Sequence, residues 1–322
     1  MKFILNTLLV YSVFLPLGHA MGNYPSISQQ SLRVEEGRTL QLYHYLPDET
    51  PVDSILLLPG LGTTHRVYDL DRHYSLARYL QGKGMEVWVA DSNPPTFEKW
   101  VEWDIPKALE VMGPHRHLAI LGLDVGGLAA MAYVSNHPET SVDRVVALGT
   151  TVYLRYPSQV MQRLLKASES MKESAIDPRL GAQTRVPFSV NDETYFDILV
   201  WDPSVLPEIR DEFLTAGLKP IPRTFVAEIQ QWYKKGEVPA VAGSLSTWNL
   251  PILLIGGKLD PLAHPAMIRE TYRGIHSPNK VYRLFSLGYR DRLDYSHEGL
   301  LLSRNASREV YPYIEKWLRD HR

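Results

Sequence analysis

The chain of 322 residues contains no cysteine. That excludes disulfides, thiolate metal sites, a cysteine nucleophile and anchoring through a lipidated cysteine. Charge of one sign is also missing: 34 Lys and Arg face 36 Asp and Glu, for a formal net charge of −2. No global basic field favours a polyanion, so no nucleic-acid partner is expected. There is no internal repeat and no low-complexity linker. The apolar run Phe3–Leu15 falls short of the ~20 residues that a membrane span needs.

What is present is ordinary for a soluble globular protein, with 44% hydrophobic and 22% charged residues. The length accommodates one large α/β domain or two small ones. Residues 1–20 read as a signal peptide: Lys2 is a short positive start, an apolar stretch follows, and Pro16–Ala20 ends in small residues. Cleavage after Ala20 and export to the periplasm or medium are expected, with no integral span afterwards. Without disulfides, a large core has to stabilise the exported protein.

Strand and helix patterns alternate through the next stretch. Ser31–Val34 and Thr39–Tyr45 alternate around Glu35–Arg38, which predicts an antiparallel hairpin at a sheet edge. Ser54–Leu58 is continuously apolar, as a strand covered on both faces requires. Tyr74–Gln81 reads as a helix, Glu86–Ala90 as a strand, Val101–Met112 as a helix, and Leu118–Leu121 and Val142–Leu148 as strands. After Thr150 the alternation stops. Residues 151–247 carry helical stretches such as Pro157–Lys172 and Arg223–Lys234, several prolines and many aromatics, among them Phe188, Phe196 and Trp201. The alternation resumes with strand Pro251–Ile255, helix Pro265–Tyr272, strand Lys280–Phe285 and helix Ala306–Arg319. The expected organisation is a mostly parallel three-layer α/β sheet whose first half is 21–150 and second half 248–322, with 151–247 inserted as a helical cap.

Gly122-Leu123-Asp124-Val125-Gly126-Gly127 sits between a strand and a small-residue helix. A strand, a Gly-x-nucleophile-x-Gly turn and a helix make a nucleophile elbow, which lifts its central side chain above the sheet. The Val125 N–H behind that side chain could hold an oxyanion. Serine is absent from the turn, and its centre is Asp124. The residues alone leave three readings: a carboxylate nucleophile, a degraded elbow in a protein that only binds, or an aspartate that caps the next helix.

Two later loops bear on that choice. Gly256–Pro261 follows a strand directly, and Asp260 within it could orient an imidazole. Tyr295–Gly299 follows the last strand and contains His297. The chain order is Asp124, Asp260, His297, that is, nucleophile position, acid, His.

On these motifs the chain resembles the α/β-hydrolase superfamily over residues 30–320. Leu57–Gly62, Ser75–Leu80, Val87–Asp91 and the tail from His297 through Arg308–Pro312 to Trp317-Leu318 resemble its lipase and polyhydroxyalkanoate-synthase-like branch. The resemblance implies an α/β-hydrolase fold with a cap, a serine or cysteine at position 124, and a second oxyanion N–H near Gly60 and Leu61, so that Leu61 would pair with Val125. Aspartate at the elbow points instead to the relatives that use it, the haloalkane dehalogenases and epoxide hydrolases. A carboxylate attacking an acyl ester would give a reactive anhydride; attacking an sp³ carbon, it gives an ordinary ester. His297, oriented by Asp260, could then activate water to hydrolyse that ester.

The expected function is therefore an exported hydrolase acting on a small apolar substrate through Asp124, His297 and Asp260. The alternatives are a degenerate, non-catalytic ligand-binding member or, less favoured, an ester hydrolase or acyltransferase. No motif implies a cofactor. His115-Arg116-His117 reads as a polar loop rather than a metal pair, His264 as loop structure, and His65 as surface. Tyr153, Tyr156, Tyr195 and Tyr233 are candidates for acidic phenols contributed by the cap. Trp100 and Trp103 are expected to pack one helix against the sheet.

Overall fold

The computed structural model describes residues 27–170, 173–179 and 204–322. The proposed signal peptide, Phe188, Tyr195, Phe196 and Trp201 lie outside the described residues.

Strands β1 (Ile27–Glu35) and β2 (Arg38–Tyr45) form the edge hairpin. Next come β3 (Ser54–Leu58), β4 (Glu86–Asp91), β5 (Leu118–Leu123) and β6 (Val142–Leu148). Among the described residues the short β7 (Ala175–Ile176) and β8 (Ile221–Pro222) pair only with each other. Strands β9 (Ile252–Gly257) and β10 (Lys280–Phe285) complete an eight-stranded sheet in the order β1-β2-β4-β3-β5-β6-β9-β10. From β4 to β10 every pairing in that sheet is parallel. This is the expected α/β architecture, and parallel order brings the strand ends that carry position 124, position 260 and the His297 loop to one edge.

The apolar run of β3 follows from its double burial. Successive side chains point to opposite faces: Leu56 and Leu58 join the core with Trp88, Ile120 and the elbow helix, while Ile55 and Leu57 join the core with Leu80, Leu121 and Trp317. All five β3 residues are buried.

The stretch expected as one helix over Val101–Met112 begins earlier and is broken. Phe97–Lys99 is α-helical, Trp100–Asp104 makes a π turn, and Ile105–Met112 is α-helical again. Trp100 is buried, but Trp103 is 45% exposed and lies beneath Lys99. Trp103 therefore does not pack on the sheet. The wider π turn rotates successive side chains less per residue than an α turn does, which carries Trp103 off the buried face and brings Asp104 inward. There the Arg38 guanidinium donates to both Asp104 oxygens at 2.6 and 2.7 Å. Helix Leu76–Gln81 also starts later than its pattern, because Ser75 caps it by accepting from Arg78 N–H.

Among the described residues, no helix is long and apolar enough to cross a membrane.

Candidate active site

The elbow is built by close approach of backbone. A Cβ on Gly122 would lie 2.2 Å from the Gly126 carbonyl carbon, and one on Gly126 would lie 2.6 Å from the carbonyl oxygens of both Leu58 and Pro59. Only glycine lets the helix start sit against β5 and the end of β3. Backbone cannot yield as a flexible side chain can. Gly126→Ala should therefore lower stability by about 3 kcal/mol or prevent folding, read as the midpoint of denaturant unfolding.

Asp124 is held at φ 53° and ψ −121°, a left-handed conformation that is strained for a residue with a side chain. Such strain costs about 1–3 kcal/mol and persists only where the surroundings over-determine it. Here they do: Asp124 N–H donates to Leu148 O at 2.8 Å, and its carbonyl accepts from Gly127 N–H at 3.1 Å and from Thr150 Oγ1 at 3.0 Å. The following helix runs Val125–Asn136, and the Asp124 side chain makes no cap hydrogen bond to it. A helix-capping aspartate would accept from the amides two or three residues on, so the capping reading fails.

The Asp124 carboxylate instead lies close enough to the backbone N–H groups of Val125 and Leu61 for both to lower its pKa. These are the two amides expected to hold an oxyanion, and the protein's own carboxylate lies beside them. Burial pushes the Asp124 carboxyl above the usual carboxylate range, against the lowering effects of His297 and the two amides.

His297 and Asp260 meet as a buried pair, with Nδ1 2.7 Å from Asp260 Oδ2. The other Asp260 oxygen accepts Leu262 and Ala263 N–H at 2.9 and 2.8 Å, which fixes the carboxylate in its loop. The imidazole packs on Gly149 at the end of β6; a Cβ there would lie 2.7 Å from His297 Cε1. Burial disfavours the imidazolium, but the charges of Asp260, Glu298 and Asp124 outweigh it and push His297 up to about 10. Glu298, also buried, is pushed up to about 7 by burial, with His297 acting in the opposite sense.

These groups open on a cavity of about 440 Å³. Its floor includes Gly60, Leu61, Asp124, Val125 and His297; its other walls include Met161, Leu165, Ile229, Trp232 and Tyr233, all from the segment after Thr150. Of the four candidate phenols, Tyr233 lines the cavity, where burial and then the charges of Asp124 and Asp260 raise its pKa. Tyr153 packs against Gly274, Tyr156 is 60% exposed, and Tyr195 lies outside the described residues.

The Leu61 loop is tied to the segment above it. Thr63 pairs with Leu218, Thr64 N–H donates to Gly217 O at 2.8 Å, and Lys219 N–H donates to Gly62 O at 2.8 Å. Lys219 Nζ reaches Asp91 Oδ1 at 2.5 Å and Ser92 O at 2.6 Å, while His65 N–H donates to Asp91 Oδ2 at 2.8 Å. Burial alone would raise the Asp91 carboxyl, but His65 and Lys219 bring it down to about 2. His65 is thus a structural partner that also stacks on Tyr43.

Three more histidines are likewise structural. His115 meets Ser54 and Glu86, and His117 meets Asp143. His264 caps helix Pro265–Gly274. Among the described residues, no three His, Asp or Glu side chains are grouped to hold a metal.

Sequence reasoning missed Glu298 as part of the site. The signal available was its adjacency to His297, but adjacency does not specify burial. It also missed Lys219, which only the fold brings to Asp91.

The fold recurs in solved structures. A monoacylglycerol lipase from Paleococcus ferrophilus is 17% identical, with 87% of this chain and 99% of that chain covered and a TM-score of 0.61. An esterase from Exiguobacterium antarcticum is 12% identical over 90% and 98% of the two chains, with a TM-score of 0.64. A thermophilic esterase from Thermogutta terrifontis is 15% identical over 92% and 100%, with a TM-score of 0.61. Identities this low establish the fold and nothing finer. No curated protein sequence matches the chain. The family model described as serine aminopeptidase, S33, matches residues 95–291, more than half of the chain, including Asp124 and Asp260 and ending before His297. A match of that extent, on this fold, makes the chain a member of the serine aminopeptidase S33 family of α/β-hydrolases.

Proposed function

We propose that the protein is a hydrolase that attacks an sp³ carbon of an apolar substrate with the Asp124 carboxylate and then hydrolyses the resulting enzyme ester. The observation that carries this reading is a carboxylate at the centre of the elbow, beside the Leu61 and Val125 amides and on the same cavity as His297, which Asp260 holds. In a serine elbow those amides wait for the substrate's oxygen. Here an incoming acyl ester would meet a carboxylate beside them, which disfavours acyl chemistry.

The same placement suits a two-stage reaction. One Asp124 oxygen attacks carbon, and the leaving group departs with the electrons of the broken bond. The oxygen beside the amides becomes the carbonyl oxygen of an ester. Water then attacks the Asp124 carboxyl carbon and gives its proton to the imidazole of His297. The carbonyl oxygen becomes the oxyanion beside the two amides, so that charge develops where donors are in place. The ester bond breaks, and the product oxygen leaves with a proton from His297. Asp260 holds Nδ1 throughout and keeps the other ring nitrogen for water. Removing the negative charge of Asp124 in the first stage also removes one cause of the raised His297 pKa, and so moves the imidazole toward the neutral form that the second stage needs.

The largely aliphatic and aromatic wall of the cavity supports an apolar substrate. The leader at residues 1–20 supports export.

The test is trapping. The protein, incubated with alkyl halides, epoxides and p-nitrophenyl esters, should carry an alkyl adduct on the peptide containing Asp124, detected by intact mass and peptide mapping. Turnover of esters without any alkyl adduct would replace this reading with ester hydrolysis. Ligand binding without adduct or turnover would replace it with a binding function.

A further inference from the structure

The reaction above leaves Glu298 unused. It lines the same cavity as Asp124 and His297, is 2% exposed, and its Oε2 has no hydrogen-bond partner among the described residues. A buried carboxyl oxygen without a partner is costly. The neighbouring Asp260 is engaged: it accepts two amides and meets His297. Ionised, Glu298 would be a third negative charge around one imidazole in an apolar enclosure. Burial holds it near neutrality, where it retains its proton much of the time and can donate it.

That donor bears on the leaving group. A halide leaves as a stable anion, needs no acid, and is repelled by a carboxyl that can ionise beside it. The residue after Asp124 is Val125, which offers no side-chain N–H to a halide. An opened epoxide leaves a strongly basic alkoxide, which does need a proton.

Resting on the reading that Asp124 attacks an sp³ carbon, we infer that Glu298 is the proton donor to the leaving oxygen and that the substrate is an epoxide borne on an apolar chain. Asp124 forms a bond to one ring carbon as the C–O bond to that carbon breaks. The oxygen takes the Glu298 proton, which gives a hydroxyalkyl ester on Asp124 and a Glu298 carboxylate. Hydrolysis of that ester leaves a diol and a protonated Asp124, whose proton returns to Glu298. Epoxide and water are consumed and diol is formed, with no redox change. Tyr233 also lines the cavity, but burial raises its pKa, which leaves it the weaker acid of the two.

The test compares 1,2-epoxyoctane with 1-iodooctane at pH 7 on the full chain, following adduct formation at Asp124 by mass. Glu298→Gln keeps the shape and loses the acid. Epoxide alkylation should fall about 10²–10⁴-fold, while iodooctane alkylation stays within about twofold. Glu298→Asp, compared with Glu298→Asn, should retain most of the ratio of epoxide to iodide reaction, and this comparison serves if the glutamine variant is poorly folded. A parallel fall with both probes, or no fall with either, overturns the role of Glu298. Wild-type reaction with iodooctane alone overturns the epoxide assignment and leaves Asp124 as nucleophile. Reaction with neither probe overturns the Asp124 reading, and this inference with it.

Discussion

In His297→Ala, the enzyme should accumulate as a stable alkyl ester on Asp124. The imidazole takes no part in the attack on carbon, so adduct formation should stay within a few-fold of wild type. Hydrolysis should slow by at least about 10²–10⁴-fold, the contribution of a positioned general base. Intact mass after removal of excess probe would show wild type returning to its starting mass and the variant retaining the adduct. The same assay has a pH signature. Burial opposes the imidazolium, but Asp260, Glu298 and Asp124 together push His297 up to about 10 in the free protein. A base works only once deprotonated, so adduct decay in wild type should quicken as pH rises from 6. It should level off below pH 10, because esterification has removed the charge of Asp124. Adduct decay that is indifferent to pH, or unaffected by the alanine change, would remove His297 from the role of base.

Asp124→Ser should exchange one chemistry for another. Its hydroxyl does not carry the charge that the carboxylate places beside the Leu61 and Val125 amides, so the two donors become free for a substrate oxygen. The variant retains the His297–Asp260 pair behind a serine, an arrangement suited to acyl transfer. Alkyl adducts and alkyl turnover should vanish, a loss of at least about 10³-fold. Hydrolysis of p-nitrophenyl esters should rise about tenfold or more above wild type, with an acyl adduct on Ser replacing the alkyl one on Asp. Asp124→Ala should lose both. Alkyl turnover that survives in the serine variant would mean that another group performs the attack.

The sheet could be read from the sequence because its signals are local. Ser54–Leu58 is apolar at every position, and a strand covered on two faces has no other pattern available. The elbow could be read for a similar reason: Gly122, Gly126 and Gly127 lie within a few residues of one another and mark spots where no Cβ fits. What escaped depends on distant parts of the chain. Nothing near Asp124 says that its side chain will lie beside the Leu61 amide, because β3 and β5 must pair before that amide arrives. Glu298 could be seen beside His297, but its burial could not. Trp103 follows Trp100 at a helical spacing, and the π turn that ends at Asp104, the partner of Arg38, turns it outward. Tyr153, Tyr156 and Tyr233 are equivalent in sequence, and packing alone brings Tyr233 of these to the cavity.

The ties between the Leu61 loop and the segment above it bear on how this protein can diversify. Insertions at strand ends are ordinarily the parts of a fold that lineages exchange or rebuild at little cost to the rest. Here the exchange would be felt below. Thr63, Thr64 and Gly62 take their positions from Gly217, Leu218 and Lys219, and Lys219 is in turn anchored on Asp91. A new roof that lacked those partners would also move one of the two amides beside which Asp124 lies. Change in the shape of the cavity is therefore least costly at walls such as Met161, Leu165 and Ile229, which can be replaced side chain by side chain, while the Gly217–Lys219 stretch is bound to the loop it holds.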